Sequence, residues 1–275
     1  MAFSASIIAD SVSPAGARLT TMEVTLPRIV LSEFNTHRMF SRNSASSRAI
    51  PVAKRIAQVL SDPFIPTYWG ANQKGMQAEA SLAHAEAERA ERVWRQALDS
   101  ATRSAEDMEA IGAHKQLANR LLEPFMWQTI IVTATEWANF FALRDNEMAQ
   151  PEIREAARLM RAAYNGSTPT LVQMGEWHLP LIQPEERDGV FEHTEDARKV
   201  SAARCARVSY LTHDGLRDLT ADLVLYERLV NGGHMSPLEH VATPIRIGHY
   251  QDLGNFRGWK QLRKFVPHED NFGAR

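Results

Sequence analysis

Residues 76–111 contain no proline and no glycine, and the run is rich in alanine, glutamate and arginine until Gly112 closes it. That composition has high intrinsic helix propensity and predicts one long helix from Met76 to about Ile111. Its many Glu and Arg side chains predict a solvated face and a structural role.

The segments around it set the fold class. Residues 19–32, LTTMEVTLPRIVLS, mix β-branched residues with alternation and predict a strand that breaks at Pro27. Residues 36–51, THRMFSRNSASSRAIP, are expected to form a loop entering a helix near Pro51, because Ser and Asn side chains compete for backbone hydrogen bonds. A turn-rich stretch follows at 62–75. Beyond the long helix, 114–122 predicts a shorter helix. Residues 124–144 predict a largely apolar one, buried by its own chain or by another subunit. Residues 151–166 start with Pro151 and end at Asn165-Gly166, a helix with its usual start and stop. Loop and short strand are expected over 166–192, then two helices at 193–210 and 218–233. No low-complexity linker divides the chain. The expectation is one intertwined α/β (α+β) unit over 1–275, with a signature segment at 1–60 and a helical segment at 76–165.

Several function classes are disfavoured. A formal net charge of −2 argues against a nucleic-acid binder, which needs a basic surface. Cys205 is the only cysteine, so no disulfide can form within the chain and a Cys-rich metal site is excluded. The N-terminal residues lack a basic n-region and a long apolar core, and no apolar run reaches membrane-spanning length. The expected protein is cytoplasmic and does not associate with membranes. GxGxxG and Walker A patterns are absent, so a dinucleotide would have to bind outside a Rossmann turn.

The segment 36–51 is where chemistry concentrates. It holds His37, Arg38, Arg42, Arg48, four serines and Asn43, and no acid occurs between Glu33 and Asp62. Guanidinium forks, hydroxyls and free backbone N–H groups suit an anion cradle, and a phosphate would supply the missing negative charge. A solvated basic turn is the plainer alternative. In GGHMSPLEH, 232–240, the spacing of His234, Glu239 and His240 is not that of a zinc site, and a loop turning at Ser236-Pro237 is expected without metal. Arg144 ends the apolar segment, where a helix C-terminus favours a cation. Asn139, in the same apolar segment, is expected to be a buried amide in need of partners. Cys205 between Arg204 and Arg207 is either an activated thiol or, more commonly, core.

Together these motifs resemble the flavin-dependent thymidylate synthases. The family's arginine-histidine-arginine signature with spaced Ser, Asn, Ser and Arg corresponds to Thr36-His37-Arg38, then Ser41, Asn43, Ser46 and Arg48. A second family segment is matched by Arg120, Pro124, TEWANFFALR ending at Arg144, and AQPEI at 149–153. GGHMSPLEH and AARCARVSY match two further motifs, so 193–275 resembles the family's N-terminal half. Their position after the signature reverses the family order. A circular permutation or a partial internal duplication would explain it, and Ser13-Pro14, spaced from His37 as in the family, favours duplication slightly.

The resemblance implies a flavin-dependent thymidylate synthase-like fold. It also implies FAD as cofactor, with NADPH and methylenetetrahydrofolate as co-substrates and dUMP as the simplest nucleotide. FAD would be held by His37, Arg38, Asn139, His234 and Ser236. Ser46, Ser47, Arg48 and Arg120 would bind the nucleotide phosphate, Glu33 stands at a substrate-binding Gln position, and Arg144 would face the pyrimidine as the catalytic cation. No thiol nucleophile is required, and the family precedent is a homotetramer with shared sites. Thr36 and Ser44 depart from the family's Arg and Glu. They leave room for an altered substrate or product, such as UMP, dCMP or hydroxymethylation. A non-catalytic nucleotide-binding protein on the same fold is the reading from a different class.

Overall fold

Two extended runs near the N-terminus pair with each other. β1 (Ser4–Val12) and β2 (Arg18–Pro27) form an antiparallel hairpin whose register shifts between Ile7 and Ala9. The turn closes because Gly16 adopts a φ of 83° and Ser13 Oγ accepts from the Ala17 amide at 3.1 Å. This computed structural model describes residues 2–75, 77–78, 80–189, 191, 194–210, 218–246, 248, 251, 253–271 and 273.

α1 (Leu31–Asn35), β3 (Ser41–Ser44), α2 (Val52–Ser61), α3 (His84–Ala110) and α4 (Lys115–Ala118) lead to the strand β4 (Trp127–Ala134). α5 (Ala138–Arg144), α6 (Pro151–Gly166), β5 (Thr170–Leu171), α7 (Pro184–Gly189), α8 (Thr194–Ala206) and α9 (Leu219–Asn231) follow. A short ribbon of β6 (Ala242–Pro244) and β7 (Trp259–Gln261) lies near the end. The main sheet has the order β3-β4-β2-β1-β5, antiparallel except where β5 joins β1 in parallel. The architecture is α+β with a mixed sheet and long helices, as expected.

Three segments differ from expectation. The apolar stretch at 124–144 is not one helix: it supplies strand β4, then the short helix α5. Thr129 to Thr133 are all β-branched, and a strand buried on both faces gives the same continuous apolar run as a buried helix. The long helix begins at His84 and not at Met76. Before it the chain doubles back, with Ala71 N–H bonded to Ala80 O at 2.7 Å and Leu82 N–H to Trp69 O at 2.8 Å. The segment 36–51 is not wholly loop, since Ser41 to Ser44 add an edge strand to β4.

One face of the sheet is apolar. Met22, Val24 and Leu26 of β2 and Ile130 and Val132 of β4 alternate onto it and pack against Phe140 of α5 and Ile153, Ala157 and Met160 of α6. A separate cluster holds α3 to the body of the protein through Leu98 and Ala105 against Val52, Ile56, Leu122 and Phe125. The rest of α3 is mostly solvated, as its composition predicts.

The other face carries hydroxyls. Thr21 of β2 pairs directly with Thr133 of β4, and Thr133 with Ser41 of β3, so the three lie in one row across the sheet. Ser11 of β1 lies on the same face, two residues along from Ala9, which is the residue opposite Thr21. The second half of the chain reads it with four side chains. His178 bonds Ser11 Oγ through Nδ1 at 2.7 Å and Thr21 Oγ1 through Nε2 at 2.8 Å. Thr21 and Thr133 share a hydrogen bond of 2.7 Å, and His240 Nδ1 lies 2.7 Å from Thr133 Oγ1. Gln261 Nε2 donates to Ser41 Oγ at 3.0 Å, and Ser41 Oγ donates to Asn255 Oδ1 at 3.1 Å.

The direction of the chain of bonds follows from its end. His240 Nε2 is buried without a partner, and an orphaned acceptor is tolerated better than an orphaned N–H. His240 therefore donates from Nδ1 to Thr133, Thr133 to Thr21, and Thr21 to His178 Nε2. His178 then donates from Nδ1 to Ser11. A second polar joint ties the helices of this half: Arg204 of α8 binds Glu186 of α7 at 2.8 Å and Asp222 of α9 at 3.0 Å.

The row generates two expectations. Thr133→Val keeps the shape but strands the His240 Nδ1–H and unseats Thr21, so urea unfolding should show a loss of roughly 1–3 kcal/mol. Burial lowers the pKa of His240 to about 3, against 6.5 in its unperturbed state. The unfolded chain alone binds that proton between those values. Stability is then complete above about pH 6.5 and falls with acid by at most about 1.4 kcal/mol per pH unit from this group. Unfolding measured from pH 7.5 to pH 4.5 should show that slope, and His240→Gln should flatten it.

Candidate active site

The signature segment runs from the end of α1 into β3, and two elements close on it. α5 places Arg144 at its last residue, where the C-terminal end of the helix favours a cation. From there Arg144 Nε donates to His37 Nε2 at 3.1 Å, and Nη2 lies 3.4 Å from Thr36 Oγ1. Arginine can only donate, so His37 carries its proton on Nδ1. The His37 ring stands edge-on to Phe140, 4.8 Å between centroids, and 5.7 Å from Phe40. Burial first, then the charges of Arg144 and Arg42, lower its pKa to about 4. His37 is a neutral acceptor at physiological pH.

Arg42 is the next cation. Its Nη1 donates to Asn35 O at 2.8 Å, and burial lowers its pKa, an effect that Glu239 opposes. Glu239 itself is ion-paired with Arg263. Among the described residues, Arg38, Arg42, Arg48 and Arg144 make no ion pair with a carboxylate. Arg38 and Arg48 are exposed. Four cations without direct counter-ions thus lie within or against one short segment.

Past β3 the chain turns through Ser46, Ser47 and Arg48 before α2. Asn119 Nδ2 fixes this turn by donating to Ser47 O at 2.7 Å and Ile50 O at 2.8 Å. Ser46 is exposed, whereas Ser47 is buried and donates to Glu123 Oε1. Glu123 also accepts from Arg28 Nη2 at 3.2 Å and pairs with Arg120 at 3.6 Å. Arg28, Arg120 and Glu123, with Ser32 and Asn35, line a cleft of about 550 Å³ beside the turn.

The sequence-assigned residues divide into groups. His37, Arg144 and Thr36 touch one another. Ser47 and Arg120 meet on Glu123. Glu33 accepts from Ser32 Oγ at 2.8 Å near the cleft. Asn139 is exposed on α5, so the expectation of a buried amide is corrected: the strand β4, and not a buried helix, precedes it. His234 and Ser236 are exposed, on a turn that packs against β3 and α8. Ser13 is buried, closing the hairpin turn. Cys205 is fully buried and burial pushes its thiol pKa up, while Arg204 and Arg207 are bound to Asp222. The thiol is core.

Glu123, Arg28 and Asn119 were not foreseen, because each acts on groups far away in sequence. Among the described residues no three His, Cys, Asp or Glu side chains gather as a metal site, and no helix is long and apolar enough to cross a membrane.

No curated protein matches the sequence. Among solved structures, the fold resembles the crystal structure of a UMP/dUMP methylase, PolB from Streptomyces cacaoi, bound with 5-Br UMP. The TM-score is 0.50 at 16% identity, over 59% of this chain and 88% of that one. The profile of the thymidylate synthase complementing proteins, the flavin-dependent family that the motifs resemble, matches residues 11–170, from the end of β1 to the start of β5. That match spans the signature segment, Arg120 and Arg144, and the chain belongs to the thymidylate synthase complementing protein family.

Proposed function

We propose that this chain transfers a one-carbon unit from methylenetetrahydrofolate to C5 of a pyrimidine nucleotide, most simply dUMP to dTMP, with FAD as cofactor and NADPH as reductant. The observation that carries this reading is the contact of Arg144 with neutral His37, inside a group of cations that lack carboxylate partners among the described residues. Family membership and the methylase fold support it.

Each residue has a task that its chemistry suits. Uracil C5 is a poor nucleophile, and attack from it needs negative charge to develop on the ring's N3 and carbonyl edge. Arg144 is permanently charged and has Nε bound to His37, which leaves its terminal nitrogens to meet that charge. His37, neutral and acceptor-only at Nε2, orients the guanidinium without competing for the anion. Ser46 and Arg48, helped by Arg120 and the buried Ser47, take the nucleotide phosphate.

The exposed, carboxylate-free Arg38 fits a flavin with its phosphates, and Asn139, His234 and Ser236 present further polar groups for it. FAD, when bound, supplies the one-carbon relay and hydride delivery. We take Ser236 as the flavin-side Ser-Pro loop and the buried Ser13 as structural. The homotetramer belongs to the same proposal, with exposed Arg48 and Arg120 available to sites shared between subunits.

A second reading keeps fold and flavin but changes the nucleotide or the transferred group. It is favoured by Thr36, the residue in place of a family arginine, because its hydroxyl lies 3.4 Å from Arg144 Nη2. Product analysis by mass spectrometry with dUMP, UMP, dCMP and the folate separates the two readings. Purified protein that stays colourless after addition of FAD would show a binding protein instead of an enzyme.

Arg144→Ala should leave the flavin absorbance intact and lower single-turnover rates at least about a hundredfold, as loss of one preorganised charge does elsewhere. Near-normal turnover would reject its role. Arg48→Ala should weaken nucleotide binding by about 1.5–3 kcal/mol in a calorimetric titration, with flavin binding unchanged.

A further inference from the structure

The turn between β3 and α2 carries Ser46, Ser47 and Arg48, and the 3-10 turn Asn119–Phe125 supplies three of the bonds that hold it. Asn119 Nδ2 donates to Ser47 O at 2.7 Å and to Ile50 O at 2.8 Å, and Glu123 accepts from the Ser47 hydroxyl. The two carbonyls bracket Arg48. Both are acceptors, so the nitrogen end of the amide is the end that faces them. Asn119 is fully buried, and its Oδ1 meets no donor. All of its hydrogen bonding therefore goes to the turn.

Those inward bonds decide what the turn shows to solvent. A trans peptide sets its N–H opposite its C=O. With Ser47 O drawn inward to Asn119, the Arg48 N–H points outward, and it donates to Ser46 Oγ at 3.3 Å. Ser46 Oγ accepts that bond, which leaves its own proton to donate. The Ala49 N–H closes the turn on Ser46 O at 3.0 Å. Ser47 and Ile50 are buried, whereas Ser46 and Arg48 are exposed. Arg120, which follows Asn119 directly in the chain, is exposed as well.

We propose that Asn119 is a positioning residue for nucleotide binding, one that holds Ser46 and Arg48 on the solvent side of the turn, at a fixed offset from Arg120, before a phosphate arrives. The inference rests on the reading of this turn as the phosphate site. A turn ordered beforehand loses less freedom when the ligand binds, so the effect falls on affinity. Being fully buried, Asn119 acts only through the turn.

The test is a double-mutant cycle on the full chain with FAD added, read as the Kd of dUMP by calorimetry. Asn119→Ala should raise that Kd about tenfold. In the Arg48→Ala background the same substitution should change the Kd by less than about threefold, because the side chain it positions is gone. A general loosening of the fold would weaken binding by the same factor in both backgrounds, and that result overturns the proposal. So does an Asn119→Ala variant that binds dUMP as tightly as the parent while Arg48→Ala binds it more weakly. If Arg48→Ala leaves dUMP binding unchanged, the phosphate reading itself fails and takes this inference with it. Should Asn119→Ala not fold, Asn119→Ser keeps one hydroxyl donor, which can serve only one of the two carbonyls. It should raise the Kd about threefold, and an unchanged Kd overturns the proposal equally.

Discussion

The hydroxyl row on the sheet's second face determines how the two halves of this chain meet. Ser11, Thr21, Thr133 and Ser41 would be poor material for an ordinary core, because each buried hydroxyl needs a partner. His178, His240, Asn255 and Gln261 supply those partners from the second half of the chain. An apolar face would accept many packings of that half. A row of directional bonds accepts few, since a shift of one residue would turn Thr21 and Thr133 to the opposite face.

The same docking assembles the candidate site. With His240 held on Thr133, the turn Ser236–Glu239 immediately before it lies against β3, beside the signature segment. With α5 fixed on the apolar face by Phe140 and Phe141, its last residue reaches His37. The site thus lies where structure from both faces converges on the edge strand. Charge is distributed unevenly there. Glu239 and Glu123, two carboxylates close to the segment, are each bound to other arginines. Among the described residues, Arg38, Arg42, Arg48 and Arg144 have no carboxylate partner.

Much of this was legible in the sequence where local chemistry decides. The helix at 151–166 follows from Pro151 and Gly166, α8 and α9, which lie within the segments expected at 193–210 and 218–233, from their composition and the closing Gly pair, and most of α3 from its propensity. The residues proposed for the site come from motifs that resemble the family's, and of these the structure brings Arg144 onto His37. What the sequence could not supply were encounters between distant segments. His37 and Arg144 are 107 residues apart, and Asn119 holds Ser47 across 72. β4 was misread for a related reason: its partners on both sides, β2 and β3, make it a strand, and its own residues suit either element.

The long reach of the row has a consequence for synthesis. Its bonds to the second half span 107 to 220 residues of chain. Once Thr133 has left the ribosome, β1 to β4 can pair, yet their second face stays uncovered until His178, His240 and finally Gln261 emerge. At roughly 5–20 residues per second that interval lasts several seconds or more. Contacts of such high order also make folding slow. The newborn protein therefore carries a half-covered sheet for much of its synthesis, a state in which an exposed edge and uncovered face invite association with other chains.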